Sequence, residues 1–322
     1  MSVSVVIPCY EQGRFLAEAL ASTAAQGEAL AEIIVVDDGS TDETPAVAAR
    51  SRGVRYIRQE RRGLPEARNA GWRASSGEHV VFLDADDRLL PGAIEAGLDA
   101  LRRRPQAAFV FGQYELIDER GAVLPTWRES RTVEDGSFTS GDFELILADG
   151  RHARRSPRPR RVSDQYTAML GRNYISMHGT VVYRRAILDE MGGFDPRLSA
   201  LEDYDLYLRV LRTHPVSAHD TVVAQYRRHP AAMSRDALNM LRMALFVLHE
   251  QRPYLDEHPG AAEAYRTGLT FWRHHYAKQL IRDVPGHVAS GRLRRAGSSC
   301  LWGFALAVGR EPPASRRLAD AA

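Results

Sequence analysis

The chain contains 322 residues, of which 44% are hydrophobic and 26% are charged. These proportions are typical of a folded globular protein and exclude disordered, collagen-like and disulfide-built classes. Because 43 basic residues balance 41 acidic ones, leaving a formal net charge of +2, the overall field favours neither nucleic acid nor an anionic membrane.

The cysteines and the N-terminus indicate the compartment. Cys9 and Cys300 lie far apart, and neither belongs to a Cys-x-x-Cys pair, so a reducing environment is favoured over a disulfide framework or a cysteine zinc site. The first residues lack the basic region of a signal peptide. The uncharged stretch Ala296 to Gly309 is shorter than the roughly 20 residues that span a bilayer. We therefore predict a cytoplasmic protein.

The first third of the chain alternates between short β-branched runs and segments rich in helix formers. This alternation is typical of βαβ units that build a mostly parallel sheet. We predict strands at Ser2–Pro8, Glu32–Asp37, Val54–Arg58 and His79–Leu83. The helices between them are predicted at Gln12–Gln26, Glu43–Ser51 and Pro65–Ser75, followed by a helix at Pro91–Arg104 and a strand at Ala107–Ile117.

The periodicity fails from Asp118 to about Asp164, where glycine, proline and the basic run Arg151–Arg161 predict an insertion with a mobile loop. A loop of this kind is usually solvated surface, and the alternative is that it closes over an anionic substrate. The elements predicted after it are a strand at His178–Tyr183, a helix at Leu201–Thr213, a strand at Thr221–Tyr226 and several helices from Arg235 onward.

Carboxylates collect at the ends of two predicted strands. Asp37 and Asp38 follow the second strand, and the run Asp84-Ala-Asp-Asp follows the fourth. In open α/β sheets this edge binds ligands. Like charges packed so closely repel one another, and a hard divalent ion with oxygen ligands would offset that repulsion. An Asp-x-Asp string also recurs by chance, and Asp87 is equally suited to be the N-cap of the following helix.

A third acidic cluster lies at the start of the helix predicted at Leu201–Thr213. Glu202 and Asp203 would be stabilised there by the helix dipole, which is a purely structural explanation for both. Adjacent helical residues diverge by about 100°, so one of the two can point into a cleft while the other supports it. Asp205 and Arg209, four residues apart, are better explained as a surface ion pair.

With these residues in view, the chain resembles the family 2 glycosyltransferases, which are inverting enzymes with the GT-A fold. The resemblance covers roughly residues 2 to 235. It rests on the motifs Val-Val-Ile-Pro8-Cys-Tyr10, Val-Val-Asp37-Asp38-Gly-Ser, Gly63-Leu-Pro-Glu-Ala-Arg68-Asn-Ala-Gly71, Phe-Leu-Asp84-Ala-Asp86-Asp87, Gly192-Gly-Phe-Asp195, Glu202-Asp203-Tyr-Asp205-Leu and Tyr226-Arg-Arg-His229, in this order.

The resemblance implies an α/β protein with a Rossmann-like, mostly parallel central sheet flanked by helices and a C-terminal helical extension. Residues 1–235 would form the GT-A domain and residues 236–322 the helical region. Within the first domain, the resemblance implies a nucleotide-sugar-binding half at 1–117, the insertion at 118–165, and an acceptor and catalytic half at 166–235.

The resemblance also implies a donor site, whose expected members are Pro8, Tyr10, Glu11, Asp37, Asp38, Arg68, Asp84 and Ala85. Asp37 would face the base, and Asp84 would lie near the ribose. Asp86 would ligate a divalent metal, Mn2+ or Mg2+, and His229 would contact the metal or the pyrophosphate. Many relatives have asparagine where this chain has Glu11, which puts the contact of that residue to the donor in doubt.

For catalysis, the resemblance implies transfer of a sugar from a nucleoside-diphosphate sugar, with UDP as the default, to an acceptor hydroxyl on a carbohydrate or glycoconjugate. Asp203 is the expected general base, because a carboxylate on a separate element can reach the far face of the sugar and attack from there inverts the anomeric centre. Glu202 would hold acceptor hydroxyls or nearby backbone. No transmembrane bundle follows the motifs, so a single, non-processive transfer is expected.

Three alternatives remain open at this point. A nucleotidyltransferase acting on sugar phosphates shares the α/β core. Such enzymes usually have a glycine-rich loop with lysine or arginine after the first strand, and this chain has a single glycine there, which argues against that class. A non-catalytic module could bind RNA or phospholipid through Arg151–Arg161, although the near-neutral charge makes a nucleic-acid partner unexpected. The C-terminal helices, where arginines precede the apolar run Leu301–Val308, could contact a membrane surface at the inner face or form a homodimer.

Overall fold

The structure is a computed structural model. It describes residues 1–124 and 165–289, together with backbone segments at 126–129, 139–140, 143–146, 152–155 and 160–161 and residues 291, 297, 298 and 300–302. The side chains of Arg151–Arg161 and most of the apolar stretch Ala296–Gly309 lie outside the described residues. The expectations of a loop closing on a substrate, of membrane contact and of a dimer through this region therefore stay predictions.

The chain divides into two compact units. The first contains residues 1–165, 175–197 and 209–230, and the second contains residues 166–174, 198–208 and 231–322. The second unit thus includes residues 166–174, 198–208 and 231–235, which were predicted to belong to the first domain.

The strands of the main sheet are β1 (Val3–Cys9), β2 (Leu30–Asp37), β3 (Val54–Arg58), β4 (His79–Phe82), β5 (Arg88–Leu89), β6 (Phe109–Ile117), β7 (Val181–Arg184) and β8 (Ser217–Arg227). The insertion contains the further short strands Thr126–Glu129, Thr139–Ser140, Phe143–Ile146, His152–Arg155 and Arg160–Arg161.

The helices are α1 (Gly13–Ala24), α2 (Thr44–Arg50), α3 (Leu64–Ala74), α4 (Ala93–Arg103), α5 (Gln165–Gly171), α6 (Arg185–Met191), α7 (Glu202–Leu211), α8 (Ala237–Glu250) and α9 (Ala261–Ala289). Short 3-10 turns lie at His178–Thr180, Met233–Arg235 and Arg252–Glu257. None of the helices among the described residues is long and apolar enough to cross a membrane.

The sheet has the order β3-β2-β1-β4-β7-β6-β8-β5. Strands β1 to β4 pair in parallel, as predicted, because a helix connects each of them to the next. The other half is mixed: β7 runs antiparallel to both of its neighbours, β4 and β6, and β8 is parallel to β6. Strands β1, β2 and β4 therefore end at the same edge, and residues following them are brought together there.

Helix α3 lies very close to β1, and Gly71 makes this possible. A Cβ atom at Gly71 would lie 2.2 Å from Val6 Cγ1, inside the core, so only glycine fits at this crossing. Every residue of β1 is buried. The glycine that ends the Ala-Arg-Asn-Ala-Gly motif is thus required for packing, and it places the earlier residues of the same helix near the edge of the sheet.

Helix α7 begins one residue later than predicted. Leu201 has a φ of +60°, which lies outside the right-handed helical region, so the helix can start only at Glu202. Glu202 and Asp203 are consequently in its first turn, where the backbone N–H groups and the helix dipole favour carboxylates.

Candidate active site

Polar side chains gather where β1, β2 and β4 end. Cys9, the last residue of β1, pairs with Asp37, the last residue of β2. Two backbone bonds extend the sheet past these ends: Asp38 N–H donates to Cys9 O at 2.9 Å and Leu83 N–H donates to Val6 O at 3.0 Å. The three segments that follow the strands are therefore held side by side at the carboxyl edge, where α/β proteins bind ligands.

Asp37 lies in a fully buried position with two donors directed at it. Its Oδ1 accepts from Ser40 N–H at 2.8 Å, and its Oδ2 accepts from the Tyr56 hydroxyl at 2.5 Å. Burial, and then the hydrogen bond to Asp37, raise the pKa of Tyr56 to about 12, so this phenol stays a neutral donor. Because the side chain has no exposed surface, the contact of Asp37 to a nucleotide base stays a prediction.

Asp38 organises the loop at residues 59–63. Its Oδ1 accepts from Gln59 Nε2 at 2.7 Å and from Arg62 N–H at 2.8 Å, and its Oδ2 accepts from Gly63 N–H at 2.8 Å. The side chain is buried. The carboxylate of Asp38 thus holds the loop in place. A direct contact of Asp38 to a nucleotide-sugar donor stays a prediction.

The same loop carries Arg61, whose guanidinium lies 3.9 Å from the centroid of the Tyr10 ring. This is within the range of a cation–π contact. Tyr10 is partly exposed, at 36%, and so presents an aromatic surface at the edge of the sheet. Pro8 is buried within β1 opposite Val36, and Ala85 is fully buried.

Glu11 adopts a left-handed backbone conformation, with a φ of +53°. Its Oε1 accepts from both the N–H and the hydroxyl of Thr41, at 2.7 and 2.9 Å, while its own N–H donates to Ser40 Oγ at 3.0 Å. Asparagine tolerates this conformation better than other residues that carry a Cβ. Asparagine is therefore also compatible with the backbone geometry at this position.

We expect Glu11→Val to lower the free energy of unfolding by about 2 kcal/mol, because a β-branched residue is strained at this φ and the bonds to Thr41 are lost. Glu11→Asn should stay within about 1 kcal/mol of the original protein. Urea denaturation measures both. Glu28→Val, at an exposed glutamate without a positive φ, is the matched control. Equal effects at the two positions would contradict the strain argument.

The carboxylates of the acidic run after β4, residues 84–87, have different partners. Asp84 Oδ1 accepts from Nη2 of the buried Arg68 at 2.7 Å. Asp86 Oδ2 lies 2.8 Å from His229 Nε2 and accepts from Gln12 Nε2 at 2.9 Å. The residues 84, 86 and 229 that the sequence analysis singled out are therefore brought to one place.

Asp87 is buried and accepts from Arg227 N–H at 2.8 Å. Burial, and then the charges of Asp86 and Asp84, hold its pKa well above the usual range. The alternative that Asp87 is an N-cap is wrong, because the next helix begins at Ala93, after Gly92.

Asp86 and His229 fit a divalent ion in both chemistry and spacing. Two ligand atoms that share an octahedral ion at about 2.1 Å each lie roughly 3 Å apart, close to the 2.8 Å between Asp86 Oδ2 and His229 Nε2. The two side chains are 13% and 1% exposed. Within the part of the chain that the structure describes, no group of three or more histidine, cysteine or acidic side chains could hold an ion alone.

Two of the sequence motifs contact each other and place Arg68. The side chain of Asn69 donates from Nδ2 to Phe194 O at 2.8 Å, and its Oδ1 accepts from Phe194 N–H at 2.8 Å. Gly193, at a φ of +78°, must be glycine because a Cβ there would lie 2.4 Å from Asn69 Oδ1. The motif around Phe194 therefore anchors the N-terminal part of α3, from which Arg68 reaches Asp84.

Glu202 and Asp203 belong to the second unit. Glu202 is 2% exposed, and Asp203 Oδ1 accepts from Tyr204 N–H at 2.7 Å. Tyr204 is buried in the same unit, and its hydroxyl donates to Met169 O at 2.9 Å. These contacts fix the start of α7, and the roles of Glu202 and Asp203 in catalysis stay predictions.

Three residues of the first unit that contact the candidate site were not identified from the sequence. Gln12 and Arg227 bind the acidic run, and Tyr56 binds Asp37. Gln12 was assigned to a predicted helix, and Tyr56 and Arg227 lie on or beside predicted strands, positions at which polar side chains usually face solvent. Only Arg227 carried a signal, since it lies within the last motif, two residues before His229.

Comparison with known proteins gives consistent results. Residues 4–191 match the family described as glycosyl transferase family 2. An uncharacterised glycosyltransferase of Rickettsia felis is 28% identical over 243 residues, which are 74% of this chain and 36% of that protein. This chain therefore spans about a third of the length of that relative.

Two solved structures share the fold. A mannosyltransferase from Pyrobaculum calidifontis, solved with GDP-Man and Mn2+, has a TM-score of 0.59 and 16% identity, covering 95% of this chain and 86% of that one. S. aureus TarS, solved as a fragment with UDP-GlcNAc, has a TM-score of 0.52 and 16% identity, covering 96% and 93%. The chain therefore belongs to glycosyl transferase family 2 and has the GT-A fold.

Proposed function

We propose that this glycosyltransferase transfers a sugar from a nucleoside-diphosphate sugar, most readily a UDP-sugar, to an acceptor hydroxyl, with inversion, with a divalent metal and in single, non-processive steps. The observation that carries the proposal is the pairing of Asp86 with His229 at the carboxyl edge of the sheet, beside the ion pair of Arg68 and Asp84. Carboxylate, imidazole and guanidinium groups together match a metal-bound diphosphate.

The donor would lie along the ends of β1, β2 and β4. Tyr10 offers a partly exposed ring for stacking, and the family resemblance places Asp37 at the base. The two solved structures with the same fold contain nucleotide sugars, UDP-GlcNAc in TarS and GDP-Man in the mannosyltransferase, which supports a nucleotide-sugar donor. UDP remains the first choice by the resemblance described above.

Asp86 and His229 would hold the metal, Mn2+ or Mg2+. When bound, the ion stabilises the negative charge that develops on the leaving diphosphate. Because the described residues provide only this pair, diphosphate oxygens and water would complete the coordination shell. Arg68 is a buried, permanently charged group that holds Asp84 in place.

Asp203 would accept the proton of the attacking hydroxyl, and Glu202 would support it or bind the acceptor. The support is the position of both residues in the first turn of α7 together with the family motif that they form. A carboxylate that takes the proton as the new bond forms lowers the barrier to attack. The acceptor itself would be a carbohydrate or a glycoconjugate.

Thermal shift with nucleoside diphosphates tests the donor assignment. We expect UDP with Mn2+ to raise the midpoint of unfolding more than GDP or dTDP, because a ligand that binds only the folded protein stabilises it in proportion to its affinity. Neither UDP alone nor Mn2+ alone should match the combined shift. A larger shift with GDP would reassign the base, and no shift with any diphosphate would contradict the proposal.

A further inference from the structure

Arg227 is a buried arginine, and the free-energy cost of burying its charge must be offset by hydrogen bonds or ion pairs. Its side chain is 0% exposed. An arginine stays charged in proteins, and burying a charge is unfavourable unless it is paired and hydrogen-bonded. The guanidinium also lies 4.8 Å from the centroid of the Phe15 ring, an apolar neighbour that offers a cation–π contact. The contacts of Arg227 therefore show which groups the buried guanidinium holds in place.

Those contacts converge on the acidic run. The side-chain Nε of Arg227 donates to the backbone carbonyl of Asp86 at 2.8 Å. The backbone N–H of Arg227 donates to the carboxylate of Asp87, also at 2.8 Å. Nη2 donates to Glu18 Oε2 at 2.6 Å, and Nη1 donates to Glu119 O at 3.0 Å. One residue thus binds two consecutive residues of the run and ties them to α1 and to the turn at Glu119.

The same segment delivers His229. The Phe15 ring contacts both side chains: its centroid lies 4.8 Å from the Arg227 guanidinium and 5.0 Å from the centroid of the His229 ring. Arg227 binds the backbone of Asp86, while His229 Nε2 lies 2.8 Å from the carboxylate of that residue. The separation between the two expected metal ligands therefore depends on how firmly Arg227 holds the backbone from which one of them projects.

We propose that Arg227 is a positioning residue whose side chain fixes the backbone of Asp86 so that Asp86 and His229 are spaced for a divalent ion. The guanidinium also supplies fixed positive charge to a run of three carboxylates. This inference rests on the metal-dependent function proposed above. Groups that orient metal ligands typically change metal affinity by about 10- to 100-fold when they are removed.

The test is Mn2+ affinity, measured by the paramagnetic resonance signal of free Mn2+ in titrations of the full chain. We expect Arg227→Met, which keeps much of the side-chain volume, to weaken Mn2+ binding by about tenfold or more. Arg184→Met is the matched control. Arg184 also donates to backbone carbonyls, those of Ala107 and Leu101, but it pairs with His79 at the opposite end of β4. Its replacement should leave Mn2+ affinity within about twofold of the original.

Arg227→Lys keeps the test decisive if Arg227→Met does not fold. Lysine retains the charge but cannot donate in the fork geometry to Asp86 and Glu18 together, so it should recover folding and still bind Mn2+ more weakly. The inference would be overturned if either folded variant bound Mn2+ as tightly as the unaltered protein, or if Arg184→Met lost as much Mn2+ affinity as Arg227→Met. Either result would leave the proposed function intact. If the unaltered protein binds no Mn2+, the metal assignment and this inference both fail.

Discussion

Replacing Asp86 by alanine is expected to abolish Mn2+-dependent binding of UDP and to lower turnover by at least about 10³-fold, which corresponds to roughly 4 kcal/mol of transition-state stabilisation. The physical reason is that the carboxylate is the group placed 2.8 Å from His229 Nε2, and an imidazole alone is a poor site for Mg2+ or Mn2+. Calorimetric titration of UDP, with and without Mn2+, measures the effect.

Asp189→Ala is the control for this prediction, since Asp189 is an exposed carboxylate on α6 within the same unit. It should bind UDP and Mn2+ as the unaltered protein does. If Asp86→Ala kept its calorimetric affinity for UDP in the presence of Mn2+, the metal would have to be held elsewhere and the assignment of Asp86 would be wrong.

Replacing Asp203 by asparagine is expected to leave folding and UDP binding unchanged and to lower sugar transfer by about 10²- to 10⁴-fold, the range that general bases contribute. Asparagine has nearly the same shape and can still accept from Tyr204 N–H through its carbonyl oxygen, so the first turn of α7 is kept. Release of UDP from the donor in the presence of acceptor measures the rate.

Asp99→Asn provides the comparison for Asp203→Asn. Asp99 is a half-exposed carboxylate on α4 whose Oδ1 lies 2.7 Å from Arg102 Nη1, and the exchange there should leave transfer unchanged. Turnover of Asp203→Asn close to that of the unaltered protein would remove Asp203 from the role of base. A loss of UDP binding would instead show that the substitution disturbs the donor site.

The two substitutions separate the halves of the proposed mechanism. Asp86→Ala should lose UDP binding and transfer together, whereas Asp203→Asn should lose transfer alone. An interaction that is made only in the transition state lowers turnover without weakening binding of the donor. Parallel behaviour of the two variants would therefore contradict the assignment of separate roles.

The parallel half of the sheet was predictable because the relevant signals are local. Short β-branched runs separated by helix formers identify βαβ units, and strands β1, β2 and β4 end within one residue of the predicted bounds at the carboxyl edge. The antiparallel placement of β7 was not predictable, since it depends on pairing with β4 and β6, which lie about 100 and about 70 residues earlier in the chain.

The candidate site shows the same division. Asp37, Asp84 and Asp86 could be selected from the sequence because carboxylates concentrated at strand ends are unfavourable unless something binds them. The sequence could not reveal that Asp38 binds the loop at residues 59–63, or that Glu11 occupies a left-handed position. Both depend on which backbone N–H groups lie nearby once the chain is folded.

By itself, then, the sequence determined the fold class, the family and the acidic residues of the candidate site, because periodicity and short motifs express local preferences of the chain. The tertiary structure alone decided which groups surround those acids. Gln12, Tyr56 and Arg227 come from three different elements and reach the site only when the sheet assembles. Directional contacts between residues distant in sequence leave no periodic pattern, because each depends on the position of a single donor and a single acceptor.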